Sequence, residues 1–174
     1  MRLFHVSEEN DIELFKPRIP LRNDLGHKRP LVWAVNEKCL VNFFTPRDCP
    51  RLTYHIGPRT SEEDKRFFFS DTDHVLVIEH GWFERMKNTK LYIYEFQTDN
   101  FILQDEIAGY YVSEQVEIPI ACYQIDDLFS ALMEKHVEIR MLPNLWTLRD
   151  RIVASTLNYS LCRMIHAKER HEKV

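Results

Sequence analysis

Leu3-Phe4-His5-Val6-Ser7 sets a histidine and a hydroxyl two residues apart in an otherwise apolar run. Side chains alternate along a strand, so Leu3, His5 and Ser7 share one face. A second run far downstream, Gly109-Tyr110-Tyr111-Val112-Ser113, puts Gly109, Tyr111 and Ser113 on one face in the same way. Two such strands are suited to wall a polar cleft in a β-rich domain. The most apolar run, Val75-Leu76-Val77-Ile78 within His74–Glu79, reads as a central strand buried on both faces.

Working outward, Leu31–Val35 and Arg51–Ile56 are further strands, the latter alternating Leu52, Tyr54, Ile56 against Arg51, Thr53, His55. Lys90–Phe96 and Phe101–Asp105, separated by residues 97–100, have the pattern of a hairpin. Strands near 109–113 and 116–124 follow. Either Ser7 or Asn10 is placed to cap a short helix through Asp11–Phe15. Pro17, Pro20, Gly26 and Pro30 mark an extended charged loop. Pro46 and Pro50 stiffen the loop holding Arg47, Asp48 and Cys49.

Either Asp126 or Asp127 caps a helix carrying Leu128, Phe129, Leu132 and Met133. Val137–Met141 returns as a strand. Leu145, Leu148, Ile152, Thr156 and Tyr159 then share one face of a long C-terminal helix. Strands dominate the first two-thirds and helices the end. The expected fold is α+β: one domain over residues 1–165 with a mainly antiparallel or split sheet, and a polar, frayed tail over 166–174.

Composition narrows the function classes. The chain has 174 residues, a net charge of -4, 44% hydrophobic and 29% charged residues, which are ordinary globular values. The acidic balance argues against general nucleic-acid binding, which needs a basic stripe. No run of about 18 apolar residues suggests a membrane span. Met1-Arg2-Leu3-Phe4-His5 does not read as a signal peptide, so a cytoplasmic location is expected. The four cysteines, Cys39, Cys49, Cys122 and Cys162, read as free thiols. Only four glycines occur, none close together, so neither a P-loop nor a G-x-G-x-x-G fingerprint is present. His55, His74 and His80 fit no zinc spacing with Cys49 or Glu79, and no metal is expected. Oligomeric state is not readable from the chain.

Individual residues carry two readings each. His5 is either a satisfied strand histidine or a ligand-binding group, and Ser7 either a turn residue or its partner. Arg47 is either solvated or presented by its proline-bracketed loop to a phosphate or carboxylate. Tyrosines in the strands are packing residues or stacking platforms for a planar ligand. Glu79-His80 at a strand end suggests a hydrolase pair, or a solubilising terminus.

The strings Phe4-His5-Val6-Ser7, Val32-Trp33-Ala34, Pro46-Arg47-Asp48-Cys49-Pro50 and Pro143-Asn144-Leu145-Trp146 resemble an uncharacterised bacterial protein family over almost the whole chain. The layout is also similar to the ADP-ribosyltransferase-like superfamily. That resemblance implies His5 and Ser7 holding the ribose of NAD and Trp33 or Tyr111 stacking on a base. It further implies Arg47 neutralising a phosphate and a late glutamate stabilising the ribosyl centre. At the superfamily's glutamate position this chain has Tyr110 or Tyr111; Glu114 and Glu106 are the substitutes, and Glu114 is the chosen one. NAD as substrate, with ADP-ribosyl transfer or glycohydrolysis, is the function the resemblance implies. The alternative is a non-enzymatic small-ligand or protein-interaction domain.

Overall fold

The computed structural model describes residues 1–19 and 29–170. Pro20 and Gly26 of the expected loop, and the last four residues of the tail, lie outside them. The chain divides into two compact units, the first of residues 1–43 and 90–126, the second of residues 44–89 and 127–174. Among the described residues no helix is long and apolar enough to cross a membrane.

The first unit is a six-stranded antiparallel sheet. Its strands are β1 (Leu3–Ser7), β2 (Val32–Asn36), β5 (Leu91–Phe96), β6 (Ile102–Asp105), β7 (Tyr110–Ser113) and β8 (Ala121–Ile125), in the order β6-β7-β2-β1-β5-β8. One face carries a cluster of Leu3, Val32, Ala34, Phe96 and Phe101, with Phe15 and Tyr111 packed against it. Gly109, at φ +68°, closes the turn into β7. A Cβ there would meet the Asn36 side chain at 2.6 Å, while Asn36 N–H donates to the Gly109 carbonyl at 2.9 Å. Backbone handedness and close approach both require glycine at that position.

The second unit is a four-stranded sheet of β3 (Arg51–His55), β4 (His74–Glu79), β9 (Glu138–Leu142) and β10 (Asn158–Cys162), ordered β10-β3-β4-β9. Only β4 and β9 run parallel. Val75, Leu76, Val77 and Ile78 are each fully buried, as their unbroken apolar run requires. Four α-helices accompany this sheet among the described residues: α1 (Glu62–Phe68), α2 (Phe83–Asn88), α3 (Leu128–Glu134) and α4 (Trp146–Val153). Leu52, Tyr54, Val75 and Val77 on one sheet face pack with Phe68 of α1 and Leu145 and Ile152 at α4. Asp127 caps α3, accepting from Phe129 N–H and Ser130 N–H at 3.0 and 3.1 Å.

The α+β class and the antiparallel character stand. The long C-terminal helix does not: α4 ends at Val153. Ser155 Oγ donates to Ile152 O at 2.7 Å, and Thr156 N–H goes to the Asp64 carboxylate at 2.7 Å. The chain is thereby diverted into β10, where Tyr159 lies opposite Tyr54. The expected hairpin of β5 with β6 is also absent, because β1 and β8 flank β5 while β6 pairs with β7. The turn after β5, closed by Phe101 N–H to Thr98 O at 3.0 Å, instead brings Phe101 beside Phe96, with centroids 5.4 Å apart. No helix forms over Asp11–Phe15, because its backbone is engaged elsewhere: Ile12 N–H donates to the Tyr94 hydroxyl, and Phe15 exchanges both bonds with Glu117.

Candidate functional site

Strand register decides what meets on the sheet of the first unit. Leu3 and Phe4 lie opposite Asn36 and Val35, so the same register sets His5 opposite Ala34, and Ala34 lies opposite Tyr111. His5 and Tyr111 therefore occupy one row on one face, two strands and about 10 Å apart. His5 Nδ1 lies 3.0 Å from the Trp33 carbonyl. A carbonyl only accepts, so Nδ1 carries the hydrogen and a neutral ring offers Nε2 as acceptor. The Phe15 ring stands 4.9 Å from the His5 ring, 5.3 Å from Tyr94 and 5.0 Å from Phe96. The cleft expected at this row is thus partly filled by an aromatic strap.

The other residues of the expected site are dispersed. Ser7 Oγ accepts from Glu9 N–H at 3.1 Å, a local turn bond. The Trp33 side chain points to the opposite sheet face, edge-on to Tyr110 at 5.6 Å. Arg47 is exposed and belongs to the second unit, in the turn closed by Cys49 N–H to Pro46 O at 3.0 Å. Glu114 is exposed beyond the end of β7 and pairs with Arg29 at 3.2 Å. The two line a shallow cleft of about 390 Å³ floored by Leu31, Ile102 and Val112. Glu106 is exposed in the turn before Gly109.

A different acid is buried beside the row. Glu117 is 5% exposed, and Ser113 Oγ donates to its Oε1 at 2.5 Å while accepting from Gln115 N–H. Because Phe15 and Glu117 are bridged across antiparallel segments, both side chains descend on the Tyr111 face of the sheet. Sequence reasoning missed Glu117 because Val116, Ile118 and Ile120 alternate with it as if they faced the core. In the structure those three are exposed and the acid is inside.

In the second unit Glu79 and His80 do not converge. Glu79 is 2% exposed and accepts from Lys168 N–H, whereas the exposed His80 ring bonds the Met141 carbonyl through Nε2 at 3.1 Å. Arg51, Thr53 and His55 form a buried polar face of β3, with the His55 and His74 rings stacked 5.1 Å apart. Arg51 Nη1 donates to Cys49 O at 3.1 Å. Burial pushes the Cys49 thiol up to about 12 and the Cys39 thiol up to about 11, which removes both as nucleophiles near neutral pH.

No curated protein and no solved structure matches the chain. One family model does, over residues 4–167, nearly the full length. The chain belongs to that family, the family of unknown function DUF6886.

Proposed function

We propose that the protein is a binding domain, recognising a small ligand or a protein segment. The observation that carries this reading is the engagement of His5. Its Nδ1 is directed at the Trp33 carbonyl and its ring lies against Phe15, while Glu114 stands in solvent beside Arg29. Ribosyl transfer needs a hydrogen-bonding group, a stacking ring and a carboxylate converging on one sugar. In this chain those groups serve packing, a turn and a surface ion pair.

Nucleotide recognition is the second reading, favoured by the shared row of His5 and Tyr111 with small Ala34 between them. In that reading NAD is the ligand, Tyr111 stacks on it, and Glu117 replaces Glu114 as the acid of the face. Ligand-observed NMR with NAD, followed for hours for nicotinamide signals, separates the two. The binding-domain reading expects no nicotinamide release. Release that is lost in His5→Ala would overturn it and establish the transferase or glycohydrolase.

A further inference from the structure

The segment over residues 168–170 is held on the second unit in an unusual way, through its backbone. Lys168 N–H donates to both carboxylate oxygens of Glu79, at 3.1 and 3.3 Å. Trp146 Nε1 donates to Lys168 O at 2.7 Å, and Asn144 Nδ2 donates to Glu169 O at 3.1 Å. The Asn144 amide is preset for this task, since its Oδ1 accepts from Trp146 N–H at 2.9 Å. One side chain of the segment is also read: Arg170 Nη2 meets Asp150 Oδ2 at 2.5 Å, with its guanidinium 5.8 Å from the Trp146 ring centroid.

We propose that Glu79, Asn144, Trp146 and Asp150 form a recognition groove for an extended, arginine-bearing peptide of a partner protein, and that the chain's own 168–170 segment is its resident occupant. The inference rests on the binding-domain reading and names the partner class. Lys168 and Glu169 are gripped through three backbone groups, contacts that leave their side chains unread, and the next residue, Arg170, is held by one acid that selects arginine. Lys168, Glu169 and Arg170 are all exposed, so the segment buries little apolar surface. A strap held by polar contacts alone opens at low free energy and exchanges readily. Glu79 anchors the occupant: with the segment in place its carboxylate is 2% exposed, and the Lys168 N–H is a donor that meets both of its oxygens. Being tethered, the resident strap competes at an effective concentration on the order of millimolar.

The test follows the Trp146 indole N–H resonance in ¹H–¹⁵N spectra of the full chain. Added in trans is the acetylated, amidated peptide Ala-Lys-Glu-Arg, the sequence of residues 167–170. Arg170→Ala is expected to move the resonance to an open position, and the peptide to return it saturably. The apparent affinity should be roughly tenfold or more tighter than in the unaltered chain, where the strap competes. Arg170→Lys, which keeps the charge and loses the fork, gives an independent opened chain. An indole resonance unmoved by millimolar peptide in both variants, with otherwise native spectra, would overturn the proposal. An equal response to a peptide with alanine in place of arginine would overturn it as well. Neither result bears on nicotinamide release, so the failure of this inference and of the binding-domain reading are distinguishable.

Discussion

Asp64 and Thr156, 92 positions apart, are joined twice: one carboxylate oxygen of Asp64 accepts from Thr156 N–H at 2.7 Å and from its hydroxyl at 2.5 Å. Asp64 also sits in the first turn of α1, where Ser61 Oγ accepts its N–H at 3.1 Å. The pair ties the start of α1 to the residue that leads from α4 into β10. Asp64→Ala leaves the Thr156 amide without this acceptor and is expected to destabilise by about 1–2 kcal/mol in urea unfolding.

The same carboxylate predicts an acid dependence. Its bonds from Thr156 hold the Asp64 carboxyl below the ordinary aspartate range. A depressed folded-state pKa contributes stability above the unfolded value and loses it as pH falls through the folded one. The stability difference between the unaltered chain and Asp64→Asn should therefore be full at neutral pH. Below about pH 4 it should shrink progressively, as read from urea midpoints at each pH.

Tyr54 is fully buried, and its hydroxyl makes no hydrogen bond among the described residues. Burial pushes its phenol up to about 12. Tyr54→Phe removes an unpaired polar atom and keeps the ring against Phe68 and Phe69, 5.7 and 5.5 Å away. A neutral or stabilising change of up to about 1 kcal/mol is expected, with a Tm raised by as much as about 2–4 °C.

Phe15 is the keystone of the strap over the first sheet. Phe15→Ala removes the ring from His5, Tyr94 and Phe96 and is expected to cost about 2–4 kcal/mol, measured by chemical unfolding. The His5 ring signals should shift in the same variant.

Thiol chemistry separates the cysteines. Cys39, Cys49 and Cys162 are buried and Cys122 is exposed. An aromatic disulfide reagent at pH 8 should titrate one fast thiol in the native protein and four after unfolding. Cys122→Ser should abolish the fast phase.

Local chemistry made much of this legible from sequence. Val75–Ile78 has only apolar residues and emerges as a strand buried on both faces. Asp127 has the short side chain and position that cap α3. Alternation groups His5 with Leu3 and Ser7, and Tyr111 with Ser113; the register of β1, β2 and β7 then sets both groups on one face. The readings that failed were those in which a local pattern competed with a distant partner. Leu145 to Tyr159 has helical spacing, yet Asp64 takes the Thr156 amide and β3 takes residues 158–162.

By itself the sequence determined the central strand β4, the strands β1, β2, β3 and β5, the start of α3 at Asp127 and which side chains alternate, because periodicity and capping are properties of neighbouring residues. Tertiary structure alone decided that β5 lies between β1 and β8 and that Phe15 covers His5. It also decided that Glu117 turns inward while Glu114 stays in solvent. Each of these choices is a competition among distant segments for the same hydrogen bonds and the same apolar surface. Its outcome depends on the whole folded chain, which no local pattern records.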